Sequence, residues 1–176
     1  MKTNVKKMII TALLIALSII IPIVFGSFLK VYIPPFSATL ASHVPLFIAM
    51  YVGSFEASIV GLGSALGFLV AIPNPIVAAR AATHMIVGFV GGALVKRNLK
   101  YSTVMIITAP IHGILEALVV YAFTRDIYIS FVVTGVGTIL HHGVDSLIAS
   151  PLLVTLKRVL NIDLRSIGEN KSKVVA

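Results

Sequence analysis

Apolar residues gather in six runs along the chain, separated by short polar or proline-bearing breaks. The runs cover residues 8–27, 39–52, 57–71, 76–95, 102–123 and 129–156. Most approach the roughly 20 residues that a helix needs to cross a bilayer core. The second is shorter and is interrupted by Pro45. The breaks read "IPPF" at 33–36, "IPNP" at 72–75, "KRNLK" at 96–100 and "TRD" at 124–126, all turn-forming or charged. This pattern predicts an all-α integral membrane fold. It is a six-transmembrane-helix bundle forming one membrane domain over residues 1–176, with a polar tail at 161–176.

Composition strengthens that expectation. The chain is 58% hydrophobic and only 11% charged, with a mean hydropathy of +1.05. Soluble domains carry about 25% charged residues. The net charge of +8 would suggest nucleic acid in a soluble protein. Here the basic residues sit between apolar runs, so they report topology and no nucleic-acid partner is expected. "MKTNVKK" before an apolar run resembles a signal peptide, but that run is too long and no small-residue cleavage site closes it. It reads as a first span. There is no Cys, hence no disulfide framework.

With the N-terminus placed in the cytoplasm, eleven basic residues fall inside: Lys2, Lys6, Lys7, Lys96, Arg97, Lys100, Lys157, Arg158, Arg165, Lys171 and Lys173. Only Lys30 and Arg125 fall outside. This asymmetry supports six spans with both termini cytoplasmic, in a cell membrane of bacterial type. Gly63-x3-Gly67 and Gly88-x3-Gly92 are small-residue spacings suited to close helix packing. There is no internal repeat.

Charged residues within the spans are the informative exceptions. Arg80, Glu116 and Asp145 each cost about 2.5–3.5 kcal/mol at a helix centre, or about 8–10 kcal/mol together. They must pair, face a cavity or bind something. Arg80 pairs with His84 at i, i+4 on span four, His112 with Glu116 on span five, and His141 with Asp145 on span six, where His142 lies beside them. Three polar stripes on three consecutive spans predict a pocket open to the outside, with Asn74 and Arg125 in the loops at its rim. A plainer alternative is internal pairing, of Arg80 with Glu116 and of His141 with Asp145. His43 is expected to hydrogen-bond a neighbouring helix, and Glu56 to serve the N-terminus of span three.

The pocket's chemistry limits its ligand. Arg80 suits a carboxylate or phosphate. His84, His112 and His141 suit ring nitrogens, and Tyr121 and the Phe residues offer stacking. A small planar heteroaromatic acid fits, although Glu116 would compete with it for Arg80. Enzyme motifs are absent: there is no H-E-x-x-H, no phosphate-binding G-x-x-x-x-G-K-[ST], and no G-x-S-x-G. A divalent metal on His112, His141 and Asp145 remains a second reading, disfavoured by the nearby Arg80.

Size, six spans, cytoplasmic termini and polarity concentrated in spans four to six resemble the substrate-binding S components of energy-coupling factor (ECF) vitamin importers. "ALLIA" supplies Ala12 and Ala16 at the Ala-x-x-x-Ala spacing that S components carry in their first helix. "PFSATLASHVPLFIAM", residues 35–50, resembles the segment joining spans one and two in the niacin-type members. The resemblance implies a vitamin-binding subunit without an ATPase or cofactor of its own. It would dock through Ala12 and Ala16 on a transmembrane coupling component that carries two ATPases, which use the ATP. The loop over 30–38, with Pro34, Pro35 and Phe36, would gate the pocket. Niacin would set its carboxylate on Arg80 and its ring nitrogen on a His. Riboflavin, thiamine, pantothenate and queuosine-precursor members share this architecture.

Overall fold

A computed structural model describes residues 2–34, 36–159 and 161–168, with side chains from residue 5. Pro35 and residues 169–176, which include Lys171 and Lys173, lie outside the described residues. Helix α1, Lys2–Phe25, is followed by a small antiparallel hairpin, β1 Lys30–Ile33 and β2 Phe36–Thr39. Then come α2 Val44–Val52, α3 Ser54–Ala71, α4 Pro75–Ala82, α5 His84–Lys96 and α6 Tyr101–Thr124. A π-helical stretch, Tyr128–Val136, runs into α7, Gly137–Arg158, and α8, Leu164–Gly168, closes the described chain.

Among the described residues, five stretches are long and apolar enough to cross a membrane: Val5–Phe25, Ser54–Ala71, Pro75–Lys96, Tyr101–Thr124 and Tyr128–Arg158. The protein is a multi-pass membrane protein. Their outward faces carry exposed Leu, Ile, Val and Phe, as lipid-facing surfaces must.

The second apolar run behaves differently. Its first residue, Thr39, ends β2, residues 40–43 form a turn, and its helix, α2, has only nine residues. Nine residues rise about 14 Å, less than half of a bilayer core. Pro45 does not interrupt this helix but starts it, because the first turn needs no N–H donor there. All of α2 except Tyr51 is buried. It therefore forms the centre of the bundle, sheathed by longer helices, with Leu46, Phe47, Ala49 and Met50 in the main core.

Glycines set how closely the sheath packs. A Cβ on Gly61 of α3 would lie 2.5 Å from the backbone of His84, and one on Gly88 of α5 would lie 2.7 Å from the Ala57 carbonyl oxygen. So α3 and α5 touch backbone to backbone, and the contact sets the depth of His84. Gly67 does the same for α3 against α1 at the Ile19 backbone, and Gly63 makes room for the Ser18 hydroxyl. Span four is broken at Thr83, whose hydroxyl donates to the Arg80 carbonyl at 2.7 Å. This local bond competes with the helix ladder and makes α4 and α5 separate helices. At the start of α3, Glu56 pairs with Lys7 of α1 at 2.8 Å and lies in the first turn, where the helix dipole favours an acid.

Candidate functional site

The three predicted stripes converge on one buried polar cluster. Arg80 leaves α4 and is 3% exposed. Its Nε donates to Glu116 Oε2 at 3.1 Å, and a terminal nitrogen meets the same oxygen at 2.5 Å. That terminal nitrogen also reaches the Ser37 carbonyl of β2 at 3.5 Å. Thr138 of α7 donates to Glu116 Oε2 as well. The other carboxylate oxygen, Oε1, faces His84 Nε2 at 3.6 Å and His112 Nε2 at 3.4 Å. Burying a charge without a partner is costly, and the ion pair removes most of that cost.

All five histidines of the chain belong to this cluster. His43 is its hub. It lies just before α2, with ring centroids 4.7 Å from His84, 4.8 Å from His112 and 4.5 Å from His141. Its Nε2 is 3.2 Å from His84 Nε2, and its Nδ1 is 3.0 Å from Asp145 Oδ2, close but poorly aligned for a hydrogen bond. His84 Nδ1 meets Ser64 Oγ of α3 at 3.0 Å. His112 Nδ1 meets His142 Nδ1 at 3.2 Å, and His142 Nε2 meets Thr108 Oγ1. His141 Nε2 meets Ser42 Oγ at 3.2 Å.

Asp145 does two things at once. Besides facing His43, its carboxylate accepts from the backbone N–H of Ala41 at 2.8 Å and of His43 at 2.9 Å. Ala41 has φ of 67°, a left-handed conformation unusual for alanine. The carboxylate thus holds the turn that delivers His43 to the cluster.

Around these groups lies a small cavity lined by Ser37, Ser42, His43, Phe68, Val77, Arg80, Ala81, His84, Glu116, Thr138 and His141. Its water-accessible volume is ≈ 10 Å³, room for about one water. Phe36 of the hairpin covers Arg80, with the guanidinium 5.3 Å from the ring centroid. Gly137 lies against the tip of that ring, where a Cβ would come within 2.9 Å of Phe36 Cζ. Pro34 is exposed beside it.

Several expected residues lie elsewhere. The Asn74 side chain accepts from Ile76 N at 2.9 Å and caps α4, and it does not line the cavity. Arg125 sits at the end of α6, exposed, with its guanidinium 5.9 Å from the Tyr121 ring. Ala12 and Ala16 are exposed on one face of α1. The metal triad considered from the sequence is redistributed. The groups that come together are His43, His84 and His112 on one side, and His43, His141 and Asp145 on the other.

Sequence reasoning missed the centrality of His43, although it does hydrogen-bond a neighbouring helix. It also missed Ser42, Ser64, Thr108 and Thr138. None of these stands out by spacing. The available signal was that every histidine in so apolar a chain lies within or against a span.

No family model and no solved structure matches the chain. Among curated proteins, it is 33% identical to the niacin transporter NiaX of Lactococcus lactis subsp. cremoris over 194 aligned residues, covering 99% of this chain and 86% of that protein. Nearly full-length similarity at this level, with the buried Arg–Glu–His cluster in a membrane bundle, leads to one conclusion: the chain belongs to the niacin-transporter family of ECF S components.

Proposed function

We propose that this protein binds niacin from outside the cell and hands it to an ATP-driven importer. It is a transport component and not an enzyme. The relative's identity as a niacin transporter carries the reading. The chemistry of the cavity supports it: one buried guanidinium beside imidazoles suits a pyridine carboxylate. Nicotinate's carboxylate takes Arg80, and its ring nitrogen meets an imidazole of the cluster.

The closed cavity sets a requirement. A space of ≈ 10 Å³ admits no pyridine ring, so the ligand enters only when Phe36 and the hairpin move off Arg80. Residues Pro34, Pro35 and Phe36 then act as the gate, as the family resemblance implied. Nicotinate must also share Arg80 with Glu116 or displace it onto Thr138, His84 and His112, its other neighbours. Ala12 and Ala16, exposed on α1, fit the docking face for the coupling component, whose two ATPase partners use the ATP. Both termini are cytoplasmic in this reading.

The test is thermal unfolding of the purified protein in detergent against a vitamin panel. Nicotinate at about one hundred times its dissociation constant should stabilise the fold by about 2.7 kcal/mol, without ATP or partners. Stabilisation by riboflavin, thiamine or pantothenate but not by nicotinate would move the protein to another branch of the same architecture.

A further inference from the structure

The inner wall of the cluster brings three imidazoles together, with the Glu116 carboxylate facing two of them. Its atoms are His43 Nε2, His84 Nε2, His112 Nε2 and Glu116 Oε1. The three imidazoles each bring a ring nitrogen within 4.8 Å of the others. The measured edges are 3.2 Å from His43 to His84, 3.6 Å from His84 to Glu116, and 3.4 Å from His112 to Glu116. An ion with four ligands at about 2.0–2.1 Å holds them roughly 3.3–3.4 Å apart. These three neighbouring pairs already lie near coordination spacing, and the three imidazole nitrogens all fall within 4.8 Å of one another.

The outer shell is also in place. Metal-bound imidazoles nearly always engage their second ring nitrogen with another group, which fixes the tautomer and the ring. Here His84 Nδ1 meets Ser64, His112 Nδ1 meets His142, and His43 Nδ1 lies against Asp145. Arg80 and Thr138 both take Glu116 Oε2, which leaves Oε1 turned toward the imidazoles. His112 Nε2 is fully buried and has no hydrogen-bond partner. A buried ring nitrogen left without a hydrogen bond, 3.4 Å from a carboxylate oxygen, is a position that a cation between the two would satisfy.

We infer that His43, His84, His112 and Glu116 bind one divalent transition-metal ion of the zinc class, beneath the niacin cavity. The three imidazoles hold the ion, and the Glu116 carboxylate closing on it completes the four-ligand set of a structural site. It ties the turn before α2 to α5 and α6, which fixes the floor of the cavity. It also settles the charge of the cluster, which otherwise sets one cation, Arg80, against two anions, Glu116 and Asp145. The ion converts that deficit into an excess of one positive charge, which an anionic ligand cancels. This last point rests on the niacin reading; the site itself does not. The competing arrangement is a protonated imidazole shared between His43 and His84, which needs no metal.

Cobalt(II) separates the two. Tag-free protein, purified in detergent and stripped with a chelator, is titrated with Co(II) alone and followed by visible absorption. Bound metal is counted by elemental analysis. The expected result is one Co(II) per chain, with the intense visible bands of a four-coordinate ion, displaced by Zn(II). H84Q and H112Q should each weaken binding at least about 10–100-fold, and S64A, which touches only the outer shell, about tenfold. The inference is overturned if wild-type protein with a cooperative thermal transition shows no saturable Co(II) binding. It is equally overturned if H84Q, H112Q and S64A all bind as tightly as wild type. Nicotinate stabilisation, measured on the same stripped protein, keeps the two readings apart. A nicotinate shift without Co(II) binding removes the ion and leaves the transporter reading intact. Co(II) binding without any nicotinate shift does the reverse.

Discussion

Arg80 and Glu116 meet through a single oxygen: Nε and a terminal nitrogen of Arg80 both contact Glu116 Oε2, while Oε1 is turned to His84 and His112. The guanidinium is thus held at one edge of the carboxylate. A ligand carboxylate can replace one of these contacts without leaving Glu116 bare, because Thr138 and the imidazoles stay with it.

Removing the guanidinium should therefore do two things. R80Q should abolish nicotinate stabilisation. It should also destabilise the protein by about 3–5 kcal/mol, because it leaves a buried carboxylate without its cation. The double variant R80L/E116L should recover most of that stability and still not respond to nicotinate. Thermal unfolding with and without nicotinate reads both effects. Retained nicotinate affinity in either variant would place the carboxylate elsewhere.

Phe36 lies over Arg80 and is the proposed gate residue. F36A removes the ring over Arg80, a desolvated cation–π contact worth about 2 kcal/mol. Nicotinate release should accelerate about 10–30-fold, with a smaller change in the association rate. Stopped-flow displacement measures this. G137A should act in the same direction, since its Cβ would press on the Phe36 ring from α7.

Gly61 sets the position of His84 from behind. A methyl there meets the His84 backbone at 2.5 Å, and backbone cannot step aside as a flexible side chain can. G61A should cost about 1–3 kcal/mol by overpacking and weaken nicotinate binding as well, because α5 must shift outward. Ordinary stability and affinity in G61A would show that α3 and α5 separate without disturbing the cluster.

The exposed face of α1 calls for the opposite behaviour. A12W and A16W add bulk at exposed positions of α1. Each should leave nicotinate affinity and thermal stability within about 0.5 kcal/mol of wild type. Uptake in cells carrying the complete importer should stop. Transport that survives either change removes this face from the docking surface.

The sequence by itself determined the solvent, the helical class and the membership of the cluster's outer members. Hydrophobic runs of about 20 residues have few alternatives to membrane helices, since backbone groups in lipid must be satisfied internally. Arg80, Glu116 and Asp145 were legible because a charge in such a run is too costly to be incidental. Their i, i+4 imidazole neighbours followed from helical geometry alone. Tertiary structure decided what spacing along one helix cannot express. The second run became a nine-residue core helix, because β2 and the Asp145-anchored turn at Ala41 take up the rest of it. That turn carries His43, which is separated from its partners His84 and Asp145 by 41 and 102 residues, into the centre of the cluster. Asn74, read as a rim residue, proved to be a helix cap, a role set by the single N–H two residues on. The choice of Arg80 for Glu116 was likewise a matter of packing. Both readings of Arg80 were open in the sequence; in the structure the meeting of α4, α6 and α7 pairs it with Glu116.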